Sequence, residues 1–91
     1  MNIRCQILVK GRVQGVGFRW FTEAEANKFG LKGYVKNCFD GDVEIEVEGE
    51  KEIIEAFVKQ LRIGNRLSRI ENIFLDWGDC ESKYDNFQIK F

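Results

Sequence analysis

Apolar and polar side chains alternate from Ile3 to Lys10, with Ile3, Cys5, Ile7 and Val9 on one side and Arg4, Gln6 and Lys10 on the other; only Leu8 breaks the pattern. That period of two predicts a first, half-buried strand. Beyond Gly11, Gly15 and Gly17 the period lengthens. Phe18, Thr22, Ala26 and Phe29 share one helical face, and Gly30 stands where a helix C-terminus favours glycine. Residues 31–37 read as a second short strand and Asp40-Gly41 as a tight turn. A third strand follows over 42–48, with Val43, Ile45 and Val47 toward a core and Glu44, Glu46 and Glu48 toward water. Ile54, Phe57, Val58 and Leu61 then repeat at i, i+3, i+4 and i+7, which predicts a second amphipathic helix from about Glu50 to Ile63, ended by Gly64. A fourth strand is expected from about Arg69 to Trp77. After a polar loop comes a terminal strand in which Phe87, Ile89 and Phe91 share a face.

The order βαββαβ with a short additional C-terminal strand places two crossover helices against one face of one sheet. This is an α+β fold, a ferredoxin-like two-layer α/β sandwich. A chain of 91 residues has room for one small domain, so residues 1–91 are read as a single domain. With 44% hydrophobic and 32% charged residues it has the makings of a core and a solvated surface rather than of a disordered segment.

The formal net charge of -1, with no dense Lys/Arg block, offers no electrostatic footprint for nucleic acid or an acidic membrane, which leaves a small molecule as the expected partner. Cys5, Cys38 and Cys80 are odd in number and far apart, so they read as free thiols. No long apolar run resembles a signal peptide or a membrane span, and a cytoplasmic monomer is the expectation. Histidine is absent, which removes Ser-His and Cys-His nucleophile pairs and every imidazole metal ligand. The alternating glutamates read as a solvated face, not a metal site, and no cofactor is expected.

Gly11-Arg12-Val13-Gln14-Gly15-Val16-Gly17-Phe18-Arg19 lies between the first strand and the first helix. There, consecutive main-chain N–H groups can converge on an anion, glycine permits close approach, and Arg19 adds a planar, permanently charged fork. An arginine in the first helical turn is electrostatically misplaced beside the positive end of the helix dipole, which suits a ligand-binding role better than a solvated one. These residues taken alone describe a phosphate or carboxylate site, or simply a turn. Asn37, likewise, reads on its own either as a residue that tolerates hairpin geometry or as a polar group of a site. Phe18, Trp20 and Phe21 could suggest base stacking, but they fall on a helix rather than on the central strand of an RNA-binding sheet, and core packing explains Phe18 and Phe21 better.

The nonapeptide at positions 11 to 19 resembles, over its whole length, the signature loop of the acylphosphatase family. A second block is similar too: Gly33-Tyr34-Val35-Lys36-Asn37, then Asp40-Gly41 and the alternating strand ending at Glu48-Gly49, with Tyr84, Phe87 and Ile89 echoing the closing segment. The resemblance implies hydrolysis of an acyl phosphate by a hydrolase acting on an acid anhydride bond. It implies that Arg19 and the loop N–H groups of Gln14, Gly15, Val16, Gly17, Phe18 and Arg19 bind the phosphate, and that Asn37 orients the attacking water. Two segments depart from the family pattern. Gly64-Asn65-Arg66-Leu67 stands where prolines are common, in a chain with no proline, and Cys38-Phe39 is an unusual filling of the turn after Asn37.

An acyl phosphate needs little acid–base help, because its leaving group is a carboxylate, a weak base that departs without a proton from a strong acid. The remaining task is to hold charge and position water, which an arginine, an N–H nest and an amide can do. Two other readings stay open on the sequence: a non-enzymatic ligand-binding module on the same fold, and a domain acting on carbamoyl phosphate alongside a larger partner.

Overall fold

The computed structural model describes residues 1–91. Its elements are β1 (Asn2–Arg12), α1 (Phe18–Lys28), β2 (Lys32–Asn37), β3 (Val43–Glu50), α2 (Lys51–Ile63), β4 (Arg69–Asp79) and β5 (Phe87–Lys90). The strands form one sheet in the order β4-β1-β3-β2-β5. β5 runs parallel to β2, and every other neighbouring pair is antiparallel. This is the βαββαβ core with an additional short strand that the alternation predicts.

Register turns the alternation into a core. Cys5, Ile7 and Val9 of β1 lie opposite Val47, Ile45 and Val43 of β3, and opposite Trp77, Leu75 and Ile73 of β4. Val35 of β2 stands between Ile45 and Ile89. Against these apolar rows pack Phe18 and Ala26 of α1 and Ile54, Phe57, Val58 and Leu61 of α2, all buried. The helices thus cover one face of the sheet, which leaves the two ends of the sandwich to loops.

The end of α1 is set by Gly30, which adopts φ 67°. The Gly30 N–H donates to the Asn27 carbonyl and the Leu31 N–H to the Ala26 carbonyl, the paired bonds of a Schellman motif. Leu31 is therefore part of the turn, and β2 begins one residue later than the apolar pattern suggests.

One expectation fails on the opposite face. Glu46 and Glu48 do not face water: they are 4% and 6% exposed. The connection between β4 and β5 folds back across that face and supplies partners. The N–H groups of Glu81 and Ser82 donate to Glu48 Oε2 at 2.8 and 3.1 Å. The Tyr84 hydroxyl bonds to Glu46, which also takes ion pairs from Arg4 and Lys83, each at 3.3 Å. Buried carboxylates are tolerable only when paired in this way.

Candidate active site

The first strand ends at Arg12 and the first helix begins at Phe18, so residues 13–17 form the loop between them. Gly15 and Gly17 have φ of 72° and 79°, left-handed values that turn the chain sharply without a side-chain clash. Gly17 is the N-cap of α1 and its carbonyl accepts from the Phe21 N–H at 3.0 Å. The N–H groups of Gly15, Val16 and Gly17 and those of the first helical turn donate to no protein acceptor, and no acidic side chain occupies that turn. The result is a set of free donors at the positive end of a helix.

Arg19, in the first turn, shares a cleft of about 260 Å³ with Val13, Gly15, Gly17, Phe18, Trp20 and Asn37. Its Nη1 donates to the Lys90 carbonyl at 3.1 Å, and its guanidinium lies 4.7 Å from the centre of the Phe91 ring. A guanidinium has five N–H donors, so this anchoring leaves the others for a ligand. Asn37 is the last residue of β2, paired with Val43 where the hairpin opens. Its Oδ1 is buried and has no hydrogen-bond partner.

The turn after Asn37 is tightly braced. The Cys38 N–H donates to the Asp42 carbonyl at 2.8 Å, and the Asp42 N–H to Asp40 Oδ1 at 3.1 Å. Lys10 Nζ pairs with Asp42 Oδ2 at 2.6 Å, and that bond raises the pKa of the lysine. Cys38 lies above the ordinary thiol range, first through burial and then through the negative field of Glu44, Asp40 and Asp42, so its thiol form is favoured beside the cleft.

The structure brings together most of the residues singled out in the sequence: Gly15, Gly17, Phe18, Arg19 and Asn37 line the one cleft. Phe18 does so from the core, being 1% exposed. Gln14 and Val16 differ. The Gln14 amide is turned toward the hairpin, donating to the Cys38 and Asp42 carbonyls at 2.7 and 2.8 Å, and the Val16 carbonyl accepts from Asn65 Nδ2 at 2.8 Å. Sequence reasoning missed both the strap from Gln14 and the brace from Asn65, because each joins segments far apart in the chain. Trp20, which lines the cleft, is largely exposed, as an outward position on α1 dictates.

No helix is long and apolar enough to cross a membrane. Residues 5–89 match the model of the Acylphosphatase family. An acylphosphatase of Thermus thermophilus is 49% identical over 76 residues, covering 84% of this chain and 86% of that protein. Among solved structures, an acylphosphatase from Bacillus subtilis superimposes with a TM-score of 0.94 at 38% identity, covering 98% of this chain and 99% of that one. Full-length HypF, solved in a phosphate- and nucleotide-bound form, contains a region of the same shape: TM-score 0.88 at 36% identity, covering all of this chain and 12% of HypF. The chain belongs to the acylphosphatase family of enzymes.

Proposed function

We propose that this chain hydrolyses acyl phosphates to a carboxylate and inorganic phosphate, with Arg19 and the N–H groups of residues 14–19 binding the phosphoryl group and Asn37 orienting water. The observation that carries this reading is the cleft itself. It sets free main-chain donors, Arg19 and the Asn37 side chain on one small cavity. The dianionic phosphoryl group lies against the loop and the Arg19 fork, which hold its equatorial oxygens. Water bonds to the Asn37 side-chain amide, so that a lone pair of the water points at phosphorus. As the new P–O bond forms, the bridging P–O bond breaks and its electron pair leaves on the carboxylate. Both water hydrogens finish on the inorganic phosphate, one of them transferred to a phosphoryl oxygen, and no side chain serves as a base.

The acyl group extends out of the phosphate cradle past the exposed Trp20, which supports a broad range of acyl groups. The three free cysteines support a cytoplasmic location, and residues 1–91 are taken as one monomeric domain.

The test compares benzoyl phosphate with a phosphate monoester such as glycerol phosphate. The account expects rapid hydrolysis of the first and almost none of the second, whose alkoxide leaving group needs an acid the site lacks. Equal rates would contradict it, and activity confined to carbamoyl phosphate would select the narrower reading.

A further inference from the structure

Asn65 lies in the proline-free turn between α2 and β4, 49 positions from the loop it touches. Its Nδ2 donates to the Val16 carbonyl at 2.8 Å and would lie 3.6 Å from a Cβ built on Gly17. The turn holds Asn65 in place: its N–H donates to Ser68 Oγ at 3.0 Å, and Ser68 Oγ donates back to its carbonyl at 3.0 Å. The Asn65 Oδ1 is buried without a partner. Turning the amide over would not help, because it would set Oδ1 against the Val16 carbonyl oxygen.

We propose that Asn65 is a positioning residue for phosphate binding, acting through the Val16–Gly17 peptide. The chain has no cis peptide bonds, so the Val16 carbonyl and the Gly17 N–H point in opposite directions from that peptide. Holding the carbonyl on Asn65 turns the Gly17 N–H to the other side of the loop, where Gly15, Gly17, Arg19 and Asn37 line the cleft. A peptide next to a left-handed glycine can flip with little steric resistance. Flipped, it would present a carbonyl oxygen to the phosphate and repel it. Asn65 thus keeps a donor, rather than an acceptor, aimed at the anion.

This inference rests on the phosphate-binding reading above, and one set of measurements separates the two. Inorganic phosphate serves as the probe, through its competitive inhibition of benzoyl phosphate hydrolysis and through the ¹⁵N–¹H shift of the Gly17 amide. Asn65→Leu has nearly the same shape and removes both the donor and the orphaned oxygen. Asn65→Ala serves the same measurements should leucine disturb the turn. The expected result is a variant that stays folded, with KM and the phosphate inhibition constant raised together by about tenfold, the effect of one lost bond to a charged group. The Gly17 amide would respond less to phosphate. A folded variant with wild-type inhibition and a wild-type Gly17 response would overturn the role of Asn65 alone. Wild-type protein that neither binds phosphate nor shifts Gly17 would overturn the phosphate-binding reading and this inference with it.

Discussion

The guanidinium of Arg19 donates to the main-chain carbonyl of Lys90 at 3.1 Å, so the β5 strand at the edge of the sheet fixes an arginine on the first turn of α1. Phe91 completes the seat by lying beneath the same guanidinium. Phe91→Ala should loosen Arg19 without removing its charge. A cation–π contact at an exposed site contributes about 0.5–1 kcal/mol, so kcat/KM should fall roughly two- to fivefold with the fold intact. Steady-state kinetics with circular dichroism as a control would check this, and an unchanged kcat/KM would show that Arg19 is held by the carbonyl alone.

Gln14 ties the loop between β1 and α1 to the hairpin that carries Asn37, through two bonds from one amide nitrogen. Gln14→Ala removes both, and the Asp42 carbonyl keeps only the Cys38 N–H. Loss of such bonds from a partly buried site should lower stability by about 1–3 kcal/mol. Activity should fall further than stability explains, because Asn37 and the loop would no longer be fixed to each other. Urea unfolding and kinetics on the same preparation measure the two effects. A variant that is destabilised but fully active at low temperature would make Gln14 a structural strap only.

The Glu46–Tyr84 bond makes stability depend on pH at both ends of the scale. Burial alone would raise the Glu46 pKa, but the Tyr84 hydroxyl, Lys83 and Arg4 outweigh it and hold the carboxyl below its ordinary range. A carboxyl depressed in the folded state stabilises above its unfolded pKa, about 4.3, and loses that contribution as pH falls through the folded value. The Tyr84 phenol is raised, first by burial and then by its bond to Glu46. Its contribution is present below the unfolded pKa of about 10 and is lost as pH rises beyond it. Tyr84→Phe should therefore have a lower Tm near neutrality and a flatter Tm-against-pH curve, both below about pH 4 and above about pH 10. Curves that run parallel to wild type would remove this pair from the pH dependence.

The elements were legible in the sequence wherever one face meets the core. Val43, Ile45 and Val47 show their side of β3 at once, as do Ile54, Phe57, Val58 and Leu61 on α2. The outer face of β3 was not. Nothing near Glu46 and Glu48 signals that the segment around Tyr84 crosses over them, because a period of two says which residues share a face and not what covers it. The same limit applies in the cleft. The glycine loop and Arg19 are local features and can be read locally, whereas Gln14 and Asn65 act on main-chain carbonyls 24 to 49 positions away, which only the folded chain brings near. Asn37 lies between these cases. Its hairpin position could be read, but its unpartnered Oδ1 could not.

The most direct test of the site is the rate of benzoyl phosphate hydrolysis, followed by ultraviolet absorbance in buffer containing a chelator, for wild type, Arg19→Gln and Asn37→Ala, each shown to be folded. The account predicts metal-independent turnover by wild type and a loss of about 10²-fold or more in each variant, the usual consequence of removing a preorganised transition-state contact. A folded Arg19→Gln or Asn37→Ala protein that turns over at the wild-type rate would contradict the assignment of this cleft as the catalytic site.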